Sequence, residues 1–473
     1  MPTHCTSTQL TFPGLPSRRV QADFEGGSMT SDAGGLLLRQ IDSSIHLIDR
    51  FTSCFQDHRD PSRVDHSVRD LLAQRVFALA LGYEDLNDHD DLRRDPLLAT
   101  LVGKPDPIGC DRRRTRDAGM PLAGKSTMNR LELAVEDSPG DHRYHRITYD
   151  SKAIDDVLVD LFLDSHETPP DRIILDLDAT DDPLHGSQEG KFFHGYYRCY
   201  CYLPLYIFCG DHLLCARLRR SNLDAAAGSD EELDRIIDRI RSRWSEVRIV
   251  IRGDSGFARD WLMSWCEKRD VDYVLGLARN ARLKRGIGKE LEKARRKFVR
   301  TGKPSRVYRD FMYRTRKTWS RTRRVVGKAE HIADKANPRF VVTSLSKDEI
   351  DAARLYEELY CARGDMENRI KEQQLDLFSD RTSASTMRAN QLRLYFSGMA
   401  YALLTALRRW GLRGTELARA QCGTIRTKLL KIGAQVSVSV RRVLIRMASG
   451  YPYADLFERV WQNLRVGPPP VPA

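Results

Sequence analysis

Apolar side chains recur along this chain with two different spacings, and the change falls near residue 171. Upstream, SVRDLLAQRVFALALGYEDL carries its apolar positions at a period near 3.6, which predicts a helix. Ser31-Asp32 precedes AGGLLLRQID, where a short polar side chain can cap a helix, and KSTMNRLELAVE reads as a short helix opened by Ser126 or Thr127. A Pro/Gly/Arg-rich stretch over roughly 103–121 reads as a loop. Residues 1–150 are therefore expected to be mainly helical after an irregular start.

Beyond 171 the pattern turns to short apolar runs. DRIILDLD, YYRCYCYLPLYIF and DHLLCARLR read as three successive strands. Helix DEELDRIIDRIRSRW, strand VRIVIRGD, helix ARDWLMSWCEKR and strand VDYVLGLA follow. Three strands, then helix–strand–helix–strand, is the order of a ribonuclease-H-like fold of the α+β class: a mixed five-stranded sheet with flanking helices. VYRDFMYRTR, RRVVGKAEH and PRFVVTSL predict three more strands before the long helix AARLYEELYCARGDMENRIKEQQ. An apolar helix, QLRLYFSGMAYALLTALRRW, and a β-rich tail, TKLLKIGAQVSVSVRRVLIRM, complete the chain. The expected organisation is a helical region over 1–150, a catalytic domain over 165–280 and 350–410, a β-rich insertion over 281–349 and a C-terminal region over 411–473.

At 473 residues the chain is too long for one core, and two to four domains are expected. The longest uncharged apolar run, Leu394 to Leu407, has 14 residues and cannot span a bilayer, so no membrane association is expected. The start, MPTHCTSTQLTF, has neither a basic region nor an apolar core of a signal peptide, which predicts a cytoplasmic protein. Ten cysteines lie scattered without CxxC pairs, and even Cys199 and Cys201 are read as free thiols rather than zinc ligands.

Charge changes the picture once it is located. Residues 282–330 hold 19 Lys/Arg against 4 Asp/Glu, and residues 384–447 hold 12 against 1, so the net +12 of the chain is concentrated in two segments. Clustered Lys/Arg displace counterions from phosphates, which points to a polyanion. Phe298, Tyr308, Phe311, Tyr313 and Trp319 are interleaved with these charges and favour nucleic acid over a merely solvated surface. Trp319, surrounded by arginines and a lysine, is expected to stack on an unpaired base, against the alternative that it is buried in a small core.

Three acidic residues carry the candidate chemistry. Alternation along DRIILDLD puts Ile173, Leu175 and Leu177 on one strand face and Ile174, Asp176 and Asp178 on the other. Asp178 ends its strand, and Asp254 ends VRIVIRGD before Gly/Ser turn residues. Two strand-terminal aspartates on adjacent strands can bridge a pair of Mg²⁺ ions. On the long helix Tyr360, Arg363, Glu367, Lys371 and Gln374 follow at steps of +3, +4, +4 and +3 and form one polar stripe. Read alone, that stripe is equally a solvated ladder of i,i+4 pairs.

Taken together, these residues resemble the DDE transposases of bacterial insertion sequences. DLDATDD is similar to the family's first-aspartate strand, IRGDSGF to its second-aspartate motif, and YCARGDMENRIKEQQ to its Tyr-Arg-Glu-Lys signature. TSDAGGLLLRQID, LGYEDLNDHDDLRRDP, GYYRCYCYLPLYIFCGD and TELARAQCGTIRTKLLKIGA further resemble the group numbered thirteen-eighty, so the likeness covers nearly the whole chain. The signature is departed from at Gln374, where a Lys is expected. The resemblance implies a transposase that binds terminal repeats, cleaves phosphodiesters and transfers 3′-OH ends into target DNA. Asp178, Asp254 and Glu367 would hold two Mg²⁺ ions, with Mn²⁺ able to substitute. Tyr360 and Arg363 would contact phosphate, and Lys371 and Gln374 would face the same DNA. The partners implied are double-stranded DNA at transposon ends and target, with a homodimer in the complex and association with the nucleoid. The helical N-terminal region is then expected to bind DNA ends, and the basic insertion to contact them.

Two readings stand beside this one: a nuclease or resolvase of the same fold without strand transfer, and a DNA-binding derivative without catalysis. Gly119-MPLA-Gly124-Lys125-Ser126 satisfies the P-loop pattern, but CDRRRTRDA before it cannot be the buried strand a P-loop needs, and no nucleotide cofactor is expected. The acidic run 85–95 lacks a calcium-loop glycine and closing glutamate, and His142 and His145 lack an acidic partner set.

Overall fold

The computed structural model describes residues 9–136, 145–332 and 335–467, which divide into two compact units. One runs through Thr148 and takes up Ala406–Gly467; the other is Tyr149–Thr405. The described residues up to Thr148, from the expected N-terminal region, and those of Ala406–Gly467, from the expected C-terminal region, thus build one unit from segments far apart in the sequence.

The unit Tyr149–Thr405 holds helix α1 (Ser151–Asp164), strands β1 (Arg172–Ala179), β2 (Leu205–Cys209) and β3 (His212–Arg217), helix α2 (Ser229–Arg243) and strand β4 (Arg248–Gly253). Helix α3 (Asp260–Lys268), strand β5 (Asp272–Leu277) and helix α4 (Gly288–Thr301) follow. Strands β6 (Ser305–Tyr313), β7 (Arg323–Ile332) and β8 (Arg339–Thr343) come next, and helices α5 (Gly364–Lys371) and α6 (Met387–Ala406) close the unit.

One mixed sheet organises these elements in the order β3-β2-β1-β4-β5-β8-β7-β6, with the short strand Lys335–Ala336 on β7. β4 is parallel to β1 and to β5, whereas β2 is antiparallel to both β1 and β3. The sheet has nine strands where five were expected. β8 pairs antiparallel with β5, so the strands of the basic segment extend the same sheet. That segment also opens as helix α4, which its expected β character did not include.

The two sheet faces are apolar for the reason alternation gives. Ile173, Leu175 and Leu177 pack with Leu233, Ile236, Ile237 and Ile240 of α2 and with Leu262 and Met263 of α3. On the opposite face Val250, Val274, Val326 and Val341 meet Leu355, Tyr356 and Leu359. Helix α2 suits its own dipole, with Asp230, Glu231 and Glu232 in the first turn and Arg241 and Arg243 in the last. Its outer side is tied to α1 at four-residue steps: Arg235 to Asp156 (3.2 Å), Arg239 to Asp160 (2.6 Å) and Arg243 to Asp164 (2.6 Å).

In the other unit, helix Val68–Leu81 is buried on nearly all sides, not on one stripe, and starts with a capping box of Ser67 and Asp70. Helix Gly35–Ile45 begins at Gly34 without a side-chain cap, because Asp32 is buried and receives the Tyr83 hydroxyl (2.6 Å) and Lys431 (2.6 Å) instead. Helix Lys125–Glu132 opens at Gly124 without a side-chain cap, ahead of both Ser126 and Thr127, the expected openers. The tail forms strands Ala434–Ser439 and Arg442–Met447, followed by a helix, Ala454–Val466. His142 lies outside the described residues, and His145 Nδ1 stands 2.8 Å from the Leu133 carbonyl. No helix among the described residues is long and apolar enough to cross a membrane.

Candidate active site

Register brings the first two acids side by side. Arg252 stands opposite Asp176 and Gly253 opposite Leu177 on the parallel strands β4 and β1, so Asp254 and Asp178 follow level with each other as the strands end. Each carboxylate is oriented by a local hydrogen bond: the Ala179 amide donates to Asp178 Oδ1 (2.9 Å) and the Gly256 amide to Asp254 Oδ1 (2.8 Å). Gly256 is needed there, because an added Cβ would stand 2.9 Å from that same oxygen.

The third acid reaches the pair through an arginine. Arg363 Nη2 lies 2.8 Å from Asp178 Oδ2, and its Nη1 lies 2.8 Å from Glu367 Oε1. Burial pushes the Asp178 carboxyl up to about 6 against the pull of Arg363, and the charges of Asp254 and Glu367 add to the rise. Burial alone would lower Arg363, but Asp178, Asp254 and Glu367 outweigh it and raise its pKa. Acidic charge exceeds basic charge at this point of the fold, and Glu367, half exposed, opens it to solvent.

Oxygen-only donors at the ends of adjacent strands are the chemistry that hard divalent cations take. As arranged here, Arg363 occupies the space between Asp178 and Glu367, and among the described residues no three His, Cys, Asp or Glu side chains close on one ion position. The donor set fits a divalent cation in type and in surplus charge.

The expected single stripe is interrupted. The helix begins at Ala352–Arg354, widens to a π turn over Leu355–Tyr360, tightens to a 3₁₀ turn over Cys361–Arg363, continues as α5 and widens again over Glu372–Asp376. Arg363 and Glu367 keep their i,i+4 contact, and Lys371 is exposed. Past the second π turn Gln374 is redirected: its Nε2 donates to the Asp181 carbonyl (3.2 Å) and to Asp182 Oδ1 (3.0 Å). Burial holds Asp182 well above the ordinary carboxylate range. Gln374 therefore faces a buried carboxyl of its own unit, which corrects its expected place beside Glu367.

Trp319 is corrected as well. It is buried, packed edge-on against Tyr313 at 5.6 Å between ring centres, with the Arg323 guanidinium 5.6 Å from its ring, so it has no free face for a base.

Three participants had no role fixed by the sequence, Asp176 among them, whose place on the strand face of Asp178 left open whether it assists that residue. Asp176 points away from solvent into a bidentate pair with Arg252, at 2.5 and 2.7 Å, and Arg252 Nη1 also donates to the Leu359 carbonyl (2.5 Å). That contact anchors the π turn just before Tyr360. Gly276 on β5 is the second: a Cβ there would lie 2.5 Å from the Tyr360 hydroxyl and 3.0 Å from the Ser255 nitrogen. A glycine inside an apolar strand run was the available signal. Asp182 is the third, and nothing in the adjacent acids 181 and 182 distinguished it.

A family model described as Transposase DDE domain group 1 matches residues 12–468. No curated protein matches the chain. The family consists of nuclease or transposase enzymes that act on DNA and generally use divalent metals. With the match covering almost all of its length, the chain belongs to the DDE transposase family.

Proposed function

We propose that this protein cuts DNA at transposon ends and transfers the resulting 3′-OH ends into target DNA, with Asp178, Asp254 and Glu367 as the catalytic acids. The observation that carries the reading is the meeting of Asp178 and Glu367 on Arg363, with Asp254 level with Asp178 on the adjacent strand. Support for a ribonuclease-H-like core comes from the strand order β3-β2-β1-β4-β5, with only β2 antiparallel to its neighbours.

Asp178, Asp254 and Glu367 would hold two divalent ions, Mg²⁺ with Mn²⁺ able to substitute, which when bound supply Lewis-acid stabilisation of the attacked phosphate and an activated water or 3′-OH. The chain's own residues bind and orient. Arg363 offers a planar fork suited to a phosphate, and its present partners are the acids themselves. Tyr360, half-buried against Gly276, is fixed beside the same backbone turn as Asp254. Helix α4 exposes Lys289, Lys293, Arg296, Lys297 and Arg300, a row of cations that would follow a DNA backbone. An assembly of two protomers on two ends, and a role for the unit containing the N-terminal region in end binding, belong to the same reading.

An assay with pre-cut ends and a supercoiled target tests it. Joined products are expected in Mg²⁺; cutting without joining would reduce the reading to a nuclease.

A further inference from the structure

We infer that Arg363 makes cation binding at the three acids conditional on DNA, holding the site closed until a phosphate draws it away. The inference rests on the DNA-cutting reading above and concerns the order in which that site fills. Both Asp178 oxygens are already engaged: Oδ1 accepts the Ala179 amide (2.9 Å) and Oδ2 faces Arg363 Nη2 (2.8 Å). Glu367 Oε1 accepts from Arg363 Nη1 (2.8 Å), and Asp254 Oδ1 accepts the Gly256 amide (2.8 Å). The guanidinium therefore holds Asp178 and Glu367 by oxygens that a shared cation would need.

This is not a loose surface pair. The Arg363 side chain is 12% exposed, and it joins an acid at a strand end to an acid on a helix. Solvent screens such a contact less than an exposed i,i+4 pair, so a divalent cation must compete with it for the same negative charge. The closed arrangement is nonetheless incomplete. Arg363 Nε is buried and has no hydrogen-bond partner among the described residues. A buried donor left unpaired costs free energy, so the acids satisfy only the Nη side of the fork.

A phosphate accepts two parallel N–H bonds from one guanidinium and can take Nε together with an Nη. Arg363 thus has a second anionic partner able to satisfy the donor that its first partners leave over. Its move to a phosphate releases Asp178 Oδ2 and Glu367 Oε1 and removes one positive charge from among the acids. DNA then raises the affinity of the site for a cation, and by linkage a cation raises the affinity for DNA by the same factor.

The test reads Mn²⁺ binding by the full chain without DNA, from the loss of the free-ion EPR signal. Arg363→Ala and Arg363→Gln should bind Mn²⁺ about tenfold more tightly than wild type, within the usual range of coupling between two sites. Asp178→Asn added to Arg363→Ala should remove that gain, whereas a merely structural arginine would give no gain to remove. A second measurement needs no variant: the affinity of wild type for a duplex carrying the inverted repeat that flanks the gene, at constant ionic strength. Ca²⁺ should tighten it about fivefold. Wild type that leaves this duplex uncut in Mg²⁺ contradicts the DNA-cutting reading and the closed site with it. Wild type that cuts, but binds Mn²⁺ without DNA as tightly as Arg363→Ala or the duplex equally with and without Ca²⁺, overturns the role of Arg363 alone.

Discussion

Asp176 and Arg252 face each other across the parallel strands β1 and β4 as a buried bidentate pair, 2.5 Å from Nε to Oδ1 and 2.7 Å from Nη2 to Oδ2. Two residues further along each strand stand the catalytic candidates. Asp176 is thereby committed to the arginine, and its role is to hold the strands and, through Leu359, the helix in one arrangement.

Arg252→Ala leaves the Asp176 carboxylate buried without its partner and should cost about 3–5 kcal/mol. Arg252→Lys should recover little of it, since one ammonium cannot reproduce the fork that grips Asp176 and the third bond to Leu359. Urea midpoints measure both. Wild-type stability in Arg252→Ala would contradict the assignment.

Gln374→Lys puts an ammonium beside Asp182, a buried carboxyl that burial holds well above its ordinary range. The new charge should be taken up by Asp182, and affinity for DNA ends and its dependence on salt should stay as they are. A salt slope steeper by about one phosphate contact would show that position 374 meets the backbone after all.

Trp319→Ala should act on stability rather than on DNA. Removing a buried tryptophan from its place against Tyr313 and Arg323 costs about 3–5 kcal/mol. A variant as stable as wild type that binds ends more weakly would reverse this conclusion.

Two buried histidines set an acid dependence. Burial, then Arg75, lowers His89 to about 3, and burial, then Arg112 and Lys104, lowers His66 to about 4. Both rings stay neutral in the fold, while the unfolded chain takes up protons below about 6.5. Their contribution is complete above that value and is lost as pH falls; by about pH 5 each has cost about 2 kcal/mol. Asp155 and Asp178, both pushed up by burial to about 6, titrate with the opposite sign, so the histidine part is read by difference. From pH 7 to 5 the urea midpoint of His66→Gln/His89→Gln should shift towards lower stability by less than that of wild type. Identical pH dependence in the two proteins would refute it.

Much of this was legible in the sequence, and the reasons for the rest are physical. Ile173, Leu175 and Leu177 alternate with Asp176 and Asp178, so strand β1, its buried face and its terminal acid followed from pattern alone. Arg363 and Glu367 lie within one regular turn, and their contact followed from spacing. Gln374 was misplaced because the π turn over Glu372–Asp376 resets the helical period, and no residue type announces such a turn. Trp319 was misread because a tryptophan among arginines looks the same whether those cations face DNA or, like Arg323, pair with Asp260 and Glu267 inside the fold. The union of the N-terminal residues with Ala406–Gly467 depends on contacts between segments far apart in sequence, which periodicity cannot register.

The central claim is that three acids cut DNA while basic surfaces hold it. Asp178→Asn, Asp254→Asn and Glu367→Gln, each incubated with end DNA in Mg²⁺, test it in one gel that separates bound from cut. The expected result is end binding near wild type with cleavage abolished in all three. Cleavage at near wild-type rate in any one of them would contradict the assignment of that residue, and cleavage in all three would remove the site.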